Sequence, residues 1–180
     1  MKLLIVYDSG NGTVRTCAER LQRELPHFEV DLVSLKESTP DPAQYDVVVA
    51  GSSVRFGKLR REMRRFLTEN SPTLCKKPLA LFFCCGLTEE QEYYAGKIFP
   101  AELSAHAIHV AFFGGSLNTE GLSRLDRFFV RSIRSQLFEK EMDDGNYVPN
   151  LPYLLPENVS DLANRLTALG NRLREEQKAQ

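Results

Sequence analysis

The sequence predicts a three-layer α/β fold, in which a parallel sheet is covered by helices on both faces. Three observations point there. Short apolar runs rich in β-branched residues alternate with amphipathic helical patterns. Most of these runs lack the period-2 alternation of a half-exposed strand. Glycine, serine or proline punctuates their ends. The 180 residues are the length of one domain. They read as a single domain over 1–180, with an irregular connector at about 139–157 before the last helix.

Lys2 to Tyr7 is an unalternating apolar run, a strand buried on both faces. The turn-rich segment Asp8-Ser9-Gly10-Asn11-Gly12-Thr13 follows at once. Val14, Cys17, Ala18, Leu21 and Leu25 then recur at helical spacing, with Arg15, Glu19, Arg20 and Arg23 on other faces, until Pro26 stops the helix. Phe28 to Val33 alternates, as a strand near the sheet edge does. Pro40 and Pro42 mark a loop before Asp46 to Gly51, a buried strand that Gly51-Ser52-Ser53 is expected to end.

The next helix puts Leu59, Met63, Phe66 and Leu67 on one side, with Lys58, Arg60, Arg61, Arg64 and Arg65 crowding the others. Its basic face spans 58–65. Pro78 opens the buried strand Leu79 to Cys85, and an acidic helix bearing Tyr93 and Tyr94 runs from Thr88 to Phe99, where Pro100 breaks it. Ala107 to Phe113 is the fifth strand, closed by Gly114-Gly115. Leu122, Leu125, Phe129, Ile133 and Leu137 mark one further helix, and Val159, Leu162, Ala163, Leu166, Leu169 and Leu173 another. Between them Asp143-Asp144-Gly145-Asn146 and the prolines 149, 152 and 156 form the connector, a candidate flap. Strands joined through helices by right-handed crossovers give the parallel sheet.

Composition removes several function classes. With 42% hydrophobic and 26% charged residues the chain is too apolar for a disordered segment. Lys and Arg number 23 against 24 Asp and Glu, a net charge of −1, so no global charge draws it to nucleic acid. The run Leu79 to Cys85 falls far short of the ~20 residues of a membrane helix. The start, Met1-Lys2-Leu3-Leu4-Ile5-Val6, meets Asp8 too early for a secretory leader, and the cytoplasm is the expected location. Cys17, Cys75, Cys84 and Cys85 lack CxxC spacing and read as reduced thiols, with Cys17, Cys84 and Cys85 as core packing. His27, His106 and His109 lack ligand spacing, so no metal is expected.

In such sheets ligands bind at the carboxyl ends of the strands, near the topological switch point. Ser9 to Val14 supplies a hydroxyl, two glycines, Asn11 and a helix start. That chemistry suits a phosphate dianion, because glycines let the backbone approach and the helix dipole adds attraction. Arg15 stands at the third glycine position of a dinucleotide fingerprint, and the Gly-Lys of a P-loop is missing. A mononucleotide phosphate remains.

The segment Tyr7-Asp8-Ser9-Gly10-Asn11-Gly12-Thr13 resembles the phosphate loop of the flavodoxin-like FMN proteins, with Val14 at the position of that loop's last hydroxyl. Ala50-Gly51-Ser52-Ser53-Val54-Arg55-Phe56-Gly57 is similar to the menaquinone-dependent protoporphyrinogen oxidase branch of that family. So are Gly114-Gly115-Ser116-Leu117 and Arg124-Leu125-Asp126-Arg127-Phe128-Phe129. The resemblance runs to about residue 138 and implies a five-stranded parallel sheet in the order 2-1-3-4-5.

It also implies that FMN sets its phosphate on Ser9, Gly10, Asn11, Gly12, Thr13 and the amide of Val14. The flavin ring would lie between Ser53, Val54, Arg55, Phe56 and Gly57 on one side and Cys85, Gly86 and Leu87 on the other. Arg55 is a candidate for tuning the flavin or for meeting a substrate carboxylate. Tyr93 and Tyr94 either shield the ring or anchor their helix, and Asp126 and Arg127 are either functional or surface charges.

The implied activity is an FMN-dependent oxidoreductase of the heme-biosynthesis type, taking hydrogen from the anionic porphyrin precursor protoporphyrinogen and passing electrons to a quinone. Peripheral contact of the basic helix with the inner membrane face is compatible with it. The alternative is a flavodoxin-type electron carrier that docks on a redox partner. Flavodoxins are usually strongly acidic, which this chain is not. A third class is a domain that has lost its flavin.

Overall fold

The computed structural model describes residues 1–55, 57–85, 95–115 and 154–179. Strand β1 (Lys2–Asp8) leads through α1 (Thr13–Arg23) to β2 (Glu29–Ser34), and a short 3-10 turn at Pro42–Gln44 precedes β3 (Val47–Arg55). The chain then doubles back as β4 (Lys58–Leu59) and enters α2 (Arg61–Leu74). After α2 come β5 (Leu79–Cys84), α3 (Ala101–His106), β6 (His109–Phe112) and α4 (Pro156–Lys178).

The main path of the sheet is β2-β1-β3-β5-β6, every neighbouring pair on it being parallel. Counting those five strands in chain order gives the expected order 2-1-3-4-5, a flavodoxin-like α/β fold. The two-residue β4, antiparallel to the end of β3, is an addition that the sequence does not announce.

Burial follows from position in the sheet. From Leu3 onward every residue of β1 is buried, while β2 at the edge alternates exposed and half-buried positions from Glu29 to Leu32 before Ser34 is buried. Alternate residues serve opposite layers. Leu3, Ile5, Val47, Val49, Ala80 and Phe82 pack with Val14, Cys17 and Leu21 of α1 and with Val159, Leu162 and Leu166 of α4. Leu4, Val6, Val48, Ala50, Leu79, Leu81 and Phe83 pack with Met63, Phe66 and Leu67 of α2 and Leu103 of α3. Each large side chain removed from water in this way contributes about 1.5–3 kcal/mol.

Three expectations need correction. Gly51-Ser52-Ser53 does not end β3: Gly51, Ser52 and Ser53 stay in register with Phe82, Phe83 and Cys84, and the strand runs on to Arg55. Gly51 is there for space. A methyl group on it would lie 1.9 Å from Cζ of Phe82, a buried ring stacked on Phe113 at 4.6 Å. Lys58 and Leu59 are strand, and Arg60 is the cap residue of α2, so the basic helix begins at Arg61 and the 58–65 reading fails over its first three residues. The fifth long strand covers His109–Phe112, shorter than 107–113, although the Phe113 amide still donates to Phe83 O at 3.0 Å.

The last helix is tied at both ends. Gly114 bridges Leu154, the Leu155 amide donates to Phe113 O at 3.0 Å, and Asn158 Nδ2 donates to Phe112 O at 2.8 Å. Near its other end Arg174 Nη2 donates to His27 O at 2.6 Å, and Gly170 lies where a methyl group would meet the Phe28 ring at 2.5 Å. Among the described residues no helix is long and apolar enough to cross a membrane. Most of the 88–99 helix, the Leu122–Leu137 helix, Tyr93, Tyr94, Asp126, Arg127 and the 143–153 part of the connector lie outside the described residues.

Because the Phe82 ring occupies the space above Gly51, Gly51→Ala is expected to lower stability by about 1–3 kcal/mol in urea unfolding through overpacking. Adding Phe82→Leu is expected to recover part of that loss.

Candidate functional site

From β1 the chain passes over one face to β2, then crosses back to β3 on the other side of β1. The connections therefore leave β1 and β3 in opposite directions, and a crevice opens between their carboxyl ends. Register fixes what meets there. Asp8 lies beside Ser52, Ser52 beside Phe83, and Ser53 beside Cys84. The segments that follow β1, β3 and β5 thus start from one edge of the sheet.

The first loop carries no acidic side chain between Ser9 and Thr13 and opens directly into α1. Gly12 has a φ of 91° and caps α1 with no side-chain cap, and the first turn of the helix holds no acidic residue. The Gly12 amide donates to Ser9 Oγ at 3.1 Å and the Thr13 amide to Asn11 Oδ1 at 3.3 Å. Two neutral acceptors of the loop itself thus engage amides at the positive end of the helix. Ser9 and Thr13 are buried, Gly10 and Asn11 half-buried and Gly12 exposed. Val14 is fully buried against the α1 side of the sheet. Its side chain belongs to the core, which leaves only its main chain to serve the loop.

The second loop is a hairpin rather than a free segment. Ser53, Val54 and Arg55 are half-buried on the extension of β3, with Val54 paired to Leu59 and Arg55 to Lys58. Gly57, at a φ of 69°, helps to turn the chain. In the third, Cys85 is buried and its amide donates to Gly114 O at 3.0 Å. Phe56, Gly86 and Leu87 lie outside the described residues. The described members of the three groups thus stand on one edge, at the crevice and the strand beside it.

Sequence reasoning missed two features. Cys17 on α1 and Cys84 on β5 bring their sulfurs to 3.9 Å, both buried. Their hydrogen bond and burial push the Cys84 thiol well above its usual range. No group of residues able to hold a metal occurs among the described residues.

The second is Arg60. Read as one of a row of surface cations, it instead turns inward, and its Nε donates to Asp8 Oδ1 at 2.7 Å. A methyl group built on Gly10 would lie 3.0 Å from Arg60 Nη1 and 3.7 Å from Ser53 Oγ. A signal was available: Asp8 directly follows a run of apolar residues expected to be buried, where a carboxylate is costly unless paired. Hydroxyls, amides, a helix start and a guanidinium around a glycine cradle form a donor set that fits a phosphate monoester.

Residues 4–144 match the model of a family described as Flavodoxin domain. No curated protein matches the chain. Among solved structures it is similar to an archaeal flavodoxin, at 19% identity over 78% of this chain and 98% of that one, with a TM-score of 0.47. It is similar to the Fusobacterium nucleatum flavodoxin bound to flavin mononucleotide, at 10% identity over 93% and 98% of the two chains, with a TM-score of 0.48. The rubredoxin oxygen:oxidoreductase of Desulfovibrio gigas aligns at 16% identity over 74% of this chain, with a TM-score of 0.42, and the chain spans 34% of its length.

Nothing lies within 4 Å of a methyl group built on Gly12, so the cost of a side chain there is conformational alone. Gly12→Ala is expected to lose about 1 kcal/mol in urea unfolding, and Gly12→Asn less, because asparagine tolerates the left-handed region.

Proposed function

Since the chain belongs to the Flavodoxin domain family, its model matching residues 4–144, we propose that it binds FMN at the β1–β3 crevice and acts as an FMN-dependent oxidoreductase. The supporting observation is the convergence at that crevice of the Ser9–Thr13 loop, Ser53 and the Arg60 guanidinium. In this reading Ser9, Gly10, Asn11, Gly12, Thr13 and the Val14 amide hold the phosphate. Ser53 to Gly57 and Cys85 to Leu87 flank the ring, with Val54, Phe56 and Leu87 as its apolar contacts. When bound, FMN supplies a redox centre that takes electrons from one partner and passes them to another. The residues of the chain orient it, shield it from water and set its electrostatic surroundings.

For the substrate we adopt protoporphyrinogen, with a quinone as acceptor. Hydrogen leaves the porphyrin precursor, and the quinone takes up the electrons and protons. A net charge of −1 and the exposed Arg61, Arg64 and Arg65 of α2 support an anionic substrate over docking on a basic protein. Arg65 is already paired with Glu69 at 2.8 Å, and Arg61 lies 4.0 Å from Glu62. Arg64 has no ion pair among the described residues, and Arg55, at the end of β3, is a second candidate for a carboxylate. The alternative is an electron carrier without its own small-molecule substrate, for which the family as a whole is the support.

Protein purified after expression with flavin supply is expected to be yellow and to release FMN on denaturation. It is also expected to rescue a strain lacking its protoporphyrinogen oxidase. Colourless protein would refute the FMN reading. Flavin-loaded, well-expressed protein that fails to rescue would refute the substrate and leave the carrier.

Arg55 follows a separate expectation. A cation beside the ring favours the reduced, negatively charged flavin, so Arg55→Gln is expected to lower the midpoint potential of bound FMN. The shift should be roughly 15–30 mV, about 1 kcal/mol on a two-electron couple, measured by anaerobic titration.

A further inference from the structure

Asp8 poses an electrostatic problem. It ends β1 with its side chain almost wholly buried, one residue before the loop assigned to the FMN phosphate. A bare carboxylate there would be costly to bury and would repel a dianion arriving a few ångströms away. Arg60 answers both difficulties. It comes from a different part of the chain, beyond the β3–β4 hairpin, and is fixed at both ends. Its amide donates to Ser52 Oγ at 3.3 Å, and Ser52 is the residue beside Asp8 in the sheet. Its Nε donates to Asp8 Oδ1 at 2.7 Å. With Nε committed, the outer end of the fork lies against Gly10, where a methyl group would stand 3.0 Å from Nη1 and 3.9 Å from Cζ. Arginine suits the post: it stays charged, and its planar fork can serve two anions at once.

We propose that Arg60 and Asp8 form a phosphate-selecting pair, in which Asp8 holds the guanidinium over the Ser9–Thr13 loop and Arg60 cancels the Asp8 charge. The loop thereby accepts the phosphorylated flavin in preference to riboflavin. The inference rests on the FMN reading and names a residue of the phosphate site that the loop motif does not contain. Neutralisation is the specific content: the loop amides make the contacts, and the pair makes the local potential tolerable to a dianion.

The test is the affinity of the full chain, stripped of flavin, for FMN and for riboflavin. Wild type, Arg60→Gln, Asp8→Asn and the double variant are compared by quenching of flavin fluorescence. Arg60→Gln is expected to weaken FMN by roughly tenfold or more while riboflavin changes by less than about threefold. In the double variant, with no stranded carboxylate, most of the FMN affinity should return. Asp8→Asn alone, which keeps the cation and removes the carboxylate, should bind FMN roughly tenfold more tightly than wild type, with the affinity falling more steeply as salt rises.

Unchanged FMN affinity in Arg60→Gln, equal losses for both flavins, or a double variant no better than Arg60→Gln would each overturn the proposal. If Arg60→Gln does not fold, Asp8→Asn and the double variant decide. Asp8→Asn should bind FMN roughly tenfold more tightly than the double variant, and equal affinities would refute the role of Arg60. Wild type that binds neither flavin would defeat the FMN reading itself, an outcome distinct from wild type that binds FMN with no Arg60 dependence.

Discussion

The structure depends on β1 having a parallel partner on each side. A strand in that position must be apolar on both faces, which is why Leu3 to Tyr7 shows no alternation and why helices cover both layers. The same pairing dictates where polar chemistry can go. Past the exposed Lys2, β1 departs from apolar character only at its carboxyl end, at Asp8, so the groups that can hold a ligand collect at that edge of the sheet. Their convergence there is a consequence of burying everything else.

Within that edge, charge is arranged by long-range pairing. The loop after β1 is made of local interactions, Ser9 and Asn11 each accepting from an amide two or three residues on. Asp8 and Arg60 are joined across 52 positions of sequence. Their geometry exists because β3 runs on past Gly51 and returns as β4, which delivers Arg60 to the loop. Had β3 ended at Gly51, Arg60 would start its helix farther from the crevice. The hairpin therefore positions a guanidinium as well as closing a strand.

Much of this was legible in sequence, and the failures share a cause. Strand and helix periodicity located the layers because burial against a central sheet leaves a regular imprint, as at Val14, Cys17 and Leu21. The glycine-rich loop was legible because its needs are local: φ above zero at Gly12 and short polar side chains. Gly51-Ser52-Ser53 misled because small residues end strands as punctuation but also occur inside them where a neighbouring ring needs room, and Phe82 is not adjacent in sequence. Arg60 was hidden among Lys58, Arg61, Arg64 and Arg65, where helical spacing alone makes it one more surface charge. The Cys17–Cys84 proximity was invisible for the same reason, since it depends on how α1 lies across β5.

The bridge between Gly114 and Leu154, with the Leu155 amide bonded to Phe113 O, means that the chain leaves and re-enters the sheet at one stem. Beyond it, α4 completes the layer that α1 begins. The stem therefore ties the seating of α4 to the segment just past β6, and loosening it would bare to water the side chains of α1 and of the central strands that Val159, Leu162 and Leu166 cover.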